Sequence, residues 1–464
     1  SSIMDVIAPE LMRRFDIPGP RYTSYPTADR FKVEPDAASL VGALRARASG
    51  PALPMAIYIH IPFCDSVCYY CACNKVITKD HSKAADYLAY LEKEIDLVSR
   101  QLAGPQGERS TVSQLHLGGG SPTFLTDDEL AGLVARLRNR FQIQENAECS
   151  IEIDPRTVDS QRLTHLRQLG FNRVSFGVQD FDTQVQVAVH RVQPFEMVKS
   201  LMEQARALKF DSINMDLIYG LPHQTPISFA RTLDQISELR PDRIALYAYA
   251  HLPARFKPQR RIDALMLPGA NLKLQMLDLA IGRLLEEGYE YIGMDHFALP
   301  NDELAVVKRE GRLQRNFQGY HTNAGSDLLG FGVSAISQVG RAYSQNVKTL
   351  IEYYAALDDG HLPVDRGLTL NDDDGLRREV IMSLMCQGVV SIPALEKKYG
   401  IVFSEYFDEA LMRLSEFESF GLVSCDKEEI KVGKAGWFFV RAIAMAFDKY
   451  LWQHADHQRF SKVL

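Results

Sequence analysis

Four of the chain's seven cysteines fall within ten residues, Cys64-Asp-Ser-Val-Cys68-Tyr-Tyr-Cys71-Ala-Cys73. Cysteine behaves as a small hydrophobe that is usually buried, so four in one short polar loop need a chemical reason. A structural zinc site draws its cysteine pairs from separate parts of a chain. Here all four share one loop, and no second C-x2-C or H-x3-H occurs elsewhere. Thiolates crowded on one loop suit an iron–sulfur cluster better. With Cys64, Cys68 and Cys71 on three irons of a 4Fe–4S cluster, the fourth iron stays open for a substrate. The run Ala56-Ile-Tyr-Ile-His-Ile-Pro-Phe63 reads as a strand leading straight into the loop.

Composition excludes several classes. At 464 residues the chain can bury a large core, roughly three domains or one barrel with additions. Hydrophobic residues make up 46% and charged residues 24%, an ordinary globular balance. A net charge of −7 gives no bulk attraction to nucleic acid or to an anionic membrane, and neither is expected as a partner. No apolar run approaches the roughly 18 residues of a membrane span, and the N-terminus lacks a signal-peptide pattern. Together with an odd number of cysteines, this predicts reduced thiols in the cytoplasm. Cys149, Cys386 and Cys425 stand alone and read as core fillers. A monomer is expected.

From residue 51 strands and helices alternate. Apolar runs at 56–61, 113–117, 148–153, 173–178, 212–218 and 243–249 read as buried parallel strands. Amphipathic helices lie between them: Leu88, Leu91, Ile95 and Val98 share one face, as do Leu130, Leu133, Val134 and Leu137, the latter after a capping box at Thr126–Glu129. Six β-α units with right-handed crossovers predict an α/β fold whose parallel sheet curls toward a barrel or part of one. Chemistry in such folds sits at the C-terminal strand ends, where the cysteine loop falls. Other strand ends carry Gly118-Gly-Gly-Ser-Pro-Thr123, Glu152 and Asp154 before Pro155-Arg156, Gln179-Asp180, Asp216 before Tyr219-Gly-Leu-Pro222, and Tyr247–Ala250, with Arg191 in a connection. The glycine run lets the backbone approach a ligand and offers exposed amides for a carboxylate or amine.

An N-terminal arm (1–50), a catalytic domain (51–365) and a C-terminal domain (366–464) are expected. The arm begins with the proline-rich Pro18-Gly-Pro-Arg-Tyr-Thr-Ser-Tyr-Pro-Thr27, either a surface segment or a cover for a site mouth. Residues 288–345 include His296, a basic helix from Lys308 to Arg315 and a small-residue run, Asp327–Ser337. The cations of that helix, with Arg21, could form a solvated face or serve an anionic substrate. The last domain reads as mostly helical and winged-helix-like: helices at about 373–386, 392–399 and 404–420, a hairpin at Leu422–Val432 and a final helix near 435–452. Its third helix carries Glu405, Asp408, Glu409, Glu416 and Glu418 against Arg413, which argues against DNA reading.

C-x3-C-x2-C with an aromatic, Tyr70, before the third cysteine is similar to the radical S-adenosylmethionine (SAM) signature. Pro18–Thr27, His60-Ile-Pro-Phe-Cys64 to Asn74-Lys75, Gly118–Thr123, Ile151–Pro155, Asp216–Pro222 and Phe460-Ser-Lys-Val-Leu464 extend the likeness over almost the whole chain. Together they resemble the oxygen-independent coproporphyrinogen III oxidases. Heme-chaperone-like paralogues are the alternative; they typically lack the counterparts of Cys73 and the Gly-Pro-Arg-Tyr-Thr-Ser-Tyr-Pro arm, both present here.

The resemblance implies an incomplete (β/α)6 TIM-like barrel with an N-terminal arm and a C-terminal helical domain, one 4Fe–4S cluster and two SAM molecules. It assigns Cys64, Cys68 and Cys71 to the cluster and makes Cys73 a non-ligand. Tyr58, Gly119, Glu152 and Ile336 match contacts to the SAM that chelates the cluster. Tyr70, Gly120, Ser121, Gln179, Arg191, Asp216 and Ala250 match contacts to the second. Tyr70 is often Phe in the family and Ser121 often Thr. The implied reaction turns two propionates of coproporphyrinogen III into vinyl groups, giving protoporphyrinogen IX for heme biosynthesis. A 5′-deoxyadenosyl radical made by cluster-driven cleavage of SAM begins it, so a flavodoxin- or ferredoxin-like electron donor is implied as well.

Overall fold

The computed structural model describes residues 10, 11, 14, 19–33, 37–323, 325 and 327–454; Pro18 and the Phe460–Leu464 motif lie outside the described residues. All six expected strands form: β1 (Met55–Ile61), β2 (Thr111–Gly119), β3 (Gln142–Ile153), β4 (Arg173–Gln179), β5 (Ser212–Tyr219) and β6 (Arg243–Ala248). They lie side by side in chain order, each pair parallel. The crossovers are α1 (Lys83–Leu102), α2 (Asp127–Arg140), α3 (Ser160–Gln168), α4 (Phe195–Ala207) and α5 (Pro226–Leu239). Helix α2 opens at the expected capping box, with the Thr126 side chain accepting from the Glu129 amide. The apolar faces read from periodicity are buried at Leu91, Ile95 and Val98 of α1 and at Leu130, Leu133, Val134 and Leu137 of α2, whereas Leu88 is only half-buried.

The sheet continues past β1, where the sequence reading saw only a small-residue run. Strand β7 (Leu328–Phe331) pairs parallel with β1. Strands β8 (Ile336–Val339), β9 (Ala342–Asn346) and β10 (Val364–Thr369) follow antiparallel, and Lys32–Val33 pairs with β10. Glycine and serine weaken a strand signal. Gly330 is required here because a Cβ would overlap the backbone of Ile336 on the neighbouring strand.

The described part of Phe31–Ala280 and Asn323–Thr369 forms one compact unit; Ile281–Thr322 and the described residues before Phe31 and from Leu370 onward form another. In the second unit, helices Asp372–Gln387, Ile392–Tyr399 and Asp408–Ser419 precede Val423–Cys425 and Glu429–Val432. Val389–Ser391 joins those two strands in a small antiparallel sheet, the winged-helix-like pattern.

Two expectations fail in this unit. The basic helix runs Glu303–Arg309 and stops before Gly311, whose φ of +73° turns the chain; Arg315 lies buried on a strand, Gln314–Asn316. Its guanidinium donates to the carbonyls of Tyr22 and Arg21, Arg309 is held by Glu290, and Arg312 and Arg21 pair with Glu310 and Asp295. The final helix is broken as well. Val440–Ala444 and Lys449–His454 are separated by a 3-10 turn and by Asp448, whose extended backbone places its carboxylate to accept from the Leu451 amide at 3.1 Å. The Tyr22 hydroxyl donates to the other oxygen of Asp448 at 2.7 Å, so the proline-rich arm is packed rather than loose. No described helix is long and apolar enough to cross a membrane.

A buried carboxyl ties α1 to the turn before β8. Glu94 accepts from the Gly332 amide (2.8 Å), the Asn346 side chain (2.8 Å) and the Tyr353 hydroxyl (2.7 Å). Burial pushes its pKa up to about 7. The folded state therefore holds this proton more tightly than the unfolded state, and the resulting stabilisation is complete below about pH 4.5 and is lost as pH rises toward 7. Denaturant unfolding should show a pH-dependent loss of about 2–3 kcal/mol across that window that Glu94→Gln abolishes; equal slopes for the two proteins would refute it.

Candidate active site

The cysteine loop leaves β1 through Pro62 and the short strand Phe63–Cys64, at the C-terminal end of the parallel strands. Backbone bonds from Val76 to Pro62, Thr78 to Cys64 and Tyr69 to Val189 fasten its stem and tip. The glycine run behind it does not present amides to a ligand, as the sequence suggested. Gly119 donates to Glu152, Gly120 to the carbonyl of Ile61 and Ser121 to that of Phe63. The glycines serve close approach instead: a Cβ on Gly120 would lie 2.6 Å from the Pro62 oxygen, and one on Gly118 2.7 Å from a Glu152 oxygen.

Cys64, Cys68 and Cys71 are buried, and Cys73 is exposed. Burial pushes the Cys64 thiol up to about 11. Burial opposes the Cys68 thiolate too, but Arg191, Arg156 and Lys75 outweigh it and lower its pKa. One guanidinium nitrogen of Arg156 and one of Arg191 each lie 3.6 Å from the Cys68 sulfur. A hydrogen bond from the Cys73 thiol is the main cause of a lowered Cys71 pKa. Lys75 stays charged despite burial because Cys71, Cys64 and Cys73 surround it. Arg156 is itself aligned by a two-point pair with Asp154, at 2.9 and 2.6 Å. Burial opposes the Asp154 carboxylate, yet Arg191 and Arg156 hold its pKa at about 2. Among the described residues no three His, Cys, Asp or Glu side chains converge where a single metal ion could bind.

Inside the barrel, alternate positions of β1 to β5 are polar. Tyr58 is stacked on His116, with ring centroids 5.9 Å apart. The Tyr58 hydroxyl bonds His60 Nδ1 at 3.0 Å, and His60 Nε2 donates to the Asn74 carbonyl at 3.1 Å, which fixes the tautomer and links β1 to the end of the cysteine loop. His116 bridges Ser150 and Glu152. Burial opposes ionisation of Glu152, but His116 and the Gly119 amide prevail and lower its pKa, so a carboxylate faces the interior. Asn214 donates to Ser175 at 2.7 Å and to Asp216 at 2.9 Å, while burial raises Asp216 to about 7. A bulge between Gly177 and Gln179 places Gln179 at φ +66° and re-aims its side chain. Gln179 Oε1 and Arg191 Nε are buried without a hydrogen-bond partner, as a site for a small polar ligand would leave them.

The remaining predicted residues are placed as follows. Tyr70 packs against a cluster of Val185, Val189, Leu221, Tyr249 and Ile262. Ser121 is buried, with its hydroxyl 3.3 Å from that of Thr123. Ala250 lies just beyond β6, and Ile336 begins β8, one strand beyond Gly330, which pairs with Tyr58. Asp180 is not a site residue: it is buried and takes bonds from Gln224 and Thr232, at 2.6 Å each. Sequence reasoning missed His116, Ser150, Ser175, Asn214 and Gln259. The first four were visible as polar residues at every second position of otherwise apolar strands. Gln259 had no local signal; it donates to the carbonyls of Tyr70 and Ala250 from a separate loop.

A model of the radical SAM superfamily matches residues 58–236, and one of the HemN C-terminal domain matches 370–439. An oxygen-independent coproporphyrinogen III oxidase of Pseudomonas aeruginosa is 50% identical over 458 residues, 98% of each chain. That of Escherichia coli is 46% identical, with 98% of each chain covered. The chain belongs to the oxygen-independent coproporphyrinogen III oxidase family. The solved Escherichia coli structure described as coproporphyrinogen III oxidase (HemN), a radical SAM enzyme, superposes with a TM-score of 0.89 and 46% identity over 94% of this chain and 100% of that one. Membership of the radical SAM superfamily brings a 4Fe–4S cluster and SAM, and three buried thiols beside three cations fit such a cluster.

Arg156 was given no role from the sequence, yet its charge bears directly on the Cys68 sulfur. A hydrogen bond from a charged group favours the more electron-rich cluster. Arg156→Gln should lower the cluster's midpoint potential by up to roughly 60 mV, the one-electron equivalent of about 1.4 kcal/mol. An EPR-monitored redox titration reads it, and an unchanged potential would remove Arg156 from the redox site.

Proposed function

We propose that the protein catalyses the anaerobic oxidative decarboxylation of two propionates of coproporphyrinogen III to vinyl groups, yielding protoporphyrinogen IX for heme biosynthesis. The observation that carries this reading is the buried three-cysteine loop, backed by glycines and held among Arg191, Arg156 and Lys75, in a chain of this family. When bound, the cluster and SAM supply the radical that abstracts hydrogen from the propionate. The chain supplies placement and charge. Cys64, Cys68 and Cys71 hold the cluster, and Cys73 does not. Glu152 offers a carboxylate to the SAM amino group, with Tyr58, Gly119 and Ile336 around the same molecule. We assign a second SAM to Tyr70, Gly120, Ser121, Gln179, Arg191, Asp216 and Ala250. The unpaired Gln179 oxygen and Arg191 Nε support this, since both await a ligand atom. Asp216, near its midpoint at neutral pH, can donate to or accept from a hydroxyl.

Residues 51–365 are assigned the catalytic role, with 1–50 as arm and 366–464 as helical domain. A monomer in the cytoplasm, reduced by a flavodoxin- or ferredoxin-like carrier, completes the reading; seven free cysteines suit such a compartment.

Anaerobic turnover of coproporphyrinogen III with SAM and reductant tests it directly. Alanine at Cys64, Cys68 or Cys71 should abolish both the cluster absorbance and activity, whereas Cys73→Ala keeps the absorbance. Loss of the cluster in Cys73→Ala with retention in Cys71→Ala would reverse the ligand assignment. Heme binding without turnover would favour the chaperone-like alternative. For the second molecule, Arg191→Ala should bind about one SAM in place of two, losing roughly 2–5 kcal/mol at that site. Equilibrium dialysis showing two molecules at unchanged affinity would reject it.

A further inference from the structure

The connection after β6 carries charge that neither the fold nor the radical site uses. Between His251 and Ile262 lie Arg255, Lys257, Arg260 and Arg261, with no carboxylate among them, in a chain whose net charge is −7. All four are exposed. Several arginines elsewhere are paired with carboxylates: Arg162 with Asp127, Arg283 with Glu287, Arg309 with Glu290. Here none has a carboxylate partner among the described residues. Arg255 lies over Phe256, Arg260 donates to the Pro253 carbonyl, and Arg261 lies over Tyr69. Exposed apolar residues adjoin them: Leu252, Met266 and Leu265, the last 88% exposed.

This patch rests directly on the cysteine loop. The Arg261 guanidinium is 5.5 Å from the ring centroid of Tyr69, and Gln259 donates to the carbonyl of Tyr70. Tyr69 and Tyr70 are the two residues between Cys68 and Cys71. A redox group seated on the patch would therefore be one layer of side chains from two cluster ligands. Electron transfer between proteins weakens steeply with distance, so few other surfaces serve as well. Transient redox complexes are small and steered by opposite charge, with a modest apolar centre inside a charged rim. An acidic carrier approaching this acidic protein meets net repulsion, which such a patch reverses locally.

We propose that Arg255, Lys257, Arg260 and Arg261, with Leu252, Leu265 and Met266, form the docking surface for a one-electron carrier protein with an acidic face. One electron passes from the reduced carrier to the oxidised cluster, and the carrier leaves oxidised by one electron. This rests on the reading that the chain holds a reducible 4Fe–4S cluster. The test uses the full chain carrying its cluster and the double variant Lys257→Glu/Arg260→Glu, neither residue touching the loop. Cluster bleaching is followed by stopped flow with a reduced, acidic flavodoxin and, separately, with dithionite. The variant should be slower with flavodoxin by roughly tenfold or more at low ionic strength. The wild-type rate should fall with added salt far more than the variant's. Dithionite rates and SAM binding should match. Equal flavodoxin rates overturn the proposal. So does a loss shared by dithionite, which marks damage to the loop, or a raised KM for coproporphyrinogen at unchanged flavodoxin rates, which marks a propionate site. A wild-type absorbance that dithionite cannot bleach would sink the cluster reading and this surface together; a bleachable protein isolates the surface.

Discussion

A thiolate removed from water persists only where positive charge faces it. Cys68 faces two guanidiniums, and Lys75 lies among Cys64, Cys71 and Cys73. Each cation comes from a different part of the chain. Arg156 arrives at the end of β3, Arg191 in the connection before α4, and Lys75 at the end of the loop itself. Asp154 stands between the two arginines and orients both. The barrel thus sets the charge at the sulfur: β3 and β4 must pair in the observed register for Arg156 and Arg191 to meet at Cys68.

That register also explains the split character of the strands. Residues that point outward under the helices are apolar, while most of the polar residues of β1 to β5 fall at alternate, interior-facing positions. A closed TIM barrel fills its centre with branched apolar side chains. This one keeps Tyr58, His116, Glu152, Asn214 and Asp216 there and knits them by hydrogen bonds along and across strands. Unpaired atoms on Gln179 and Arg191 mark where the knitting is incomplete, and the bulge at Gln179 is the backbone device that turns its side chain there.

The strands were legible because parallel buried strands read as apolar runs, and the cysteine loop because spacing within ten residues is local information. Glu152 and Asp216 were legible as acids at strand ends. Other features depend on partners distant in sequence. Gly118 and Gly120 were read as ligand-facing, but the need for glycine there also follows from Glu152 and Pro62, which no local pattern pairs with them. β7 was hidden because Gly330, needed against Ile336, dilutes its strand signal. The basic helix was overextended because charge continued past Gly311 while the backbone did not. The final helix was read through Asp448 because its break is enforced by Tyr22, at the other end of the chain.

One consequence of β7 concerns the order in which the protein can be made. Strand β1 has β2 on one side and β7 on the other, so the strand that feeds the cysteine loop is interior. The loop is complete at Cys73, but β7 begins only at Leu328. A growing chain therefore finishes the loop, its glycine backing and all of β1 to β6 before the far flank of β1 exists. Until then one side of β1 is an open edge, the kind of surface that recruits other chains. Closing it demands pairing across a long stretch of sequence, which carries loop-closure entropy and slows folding. The segment Asn323–Thr369 is the last of its unit to be synthesised, and its arrival covers the open edge of β1.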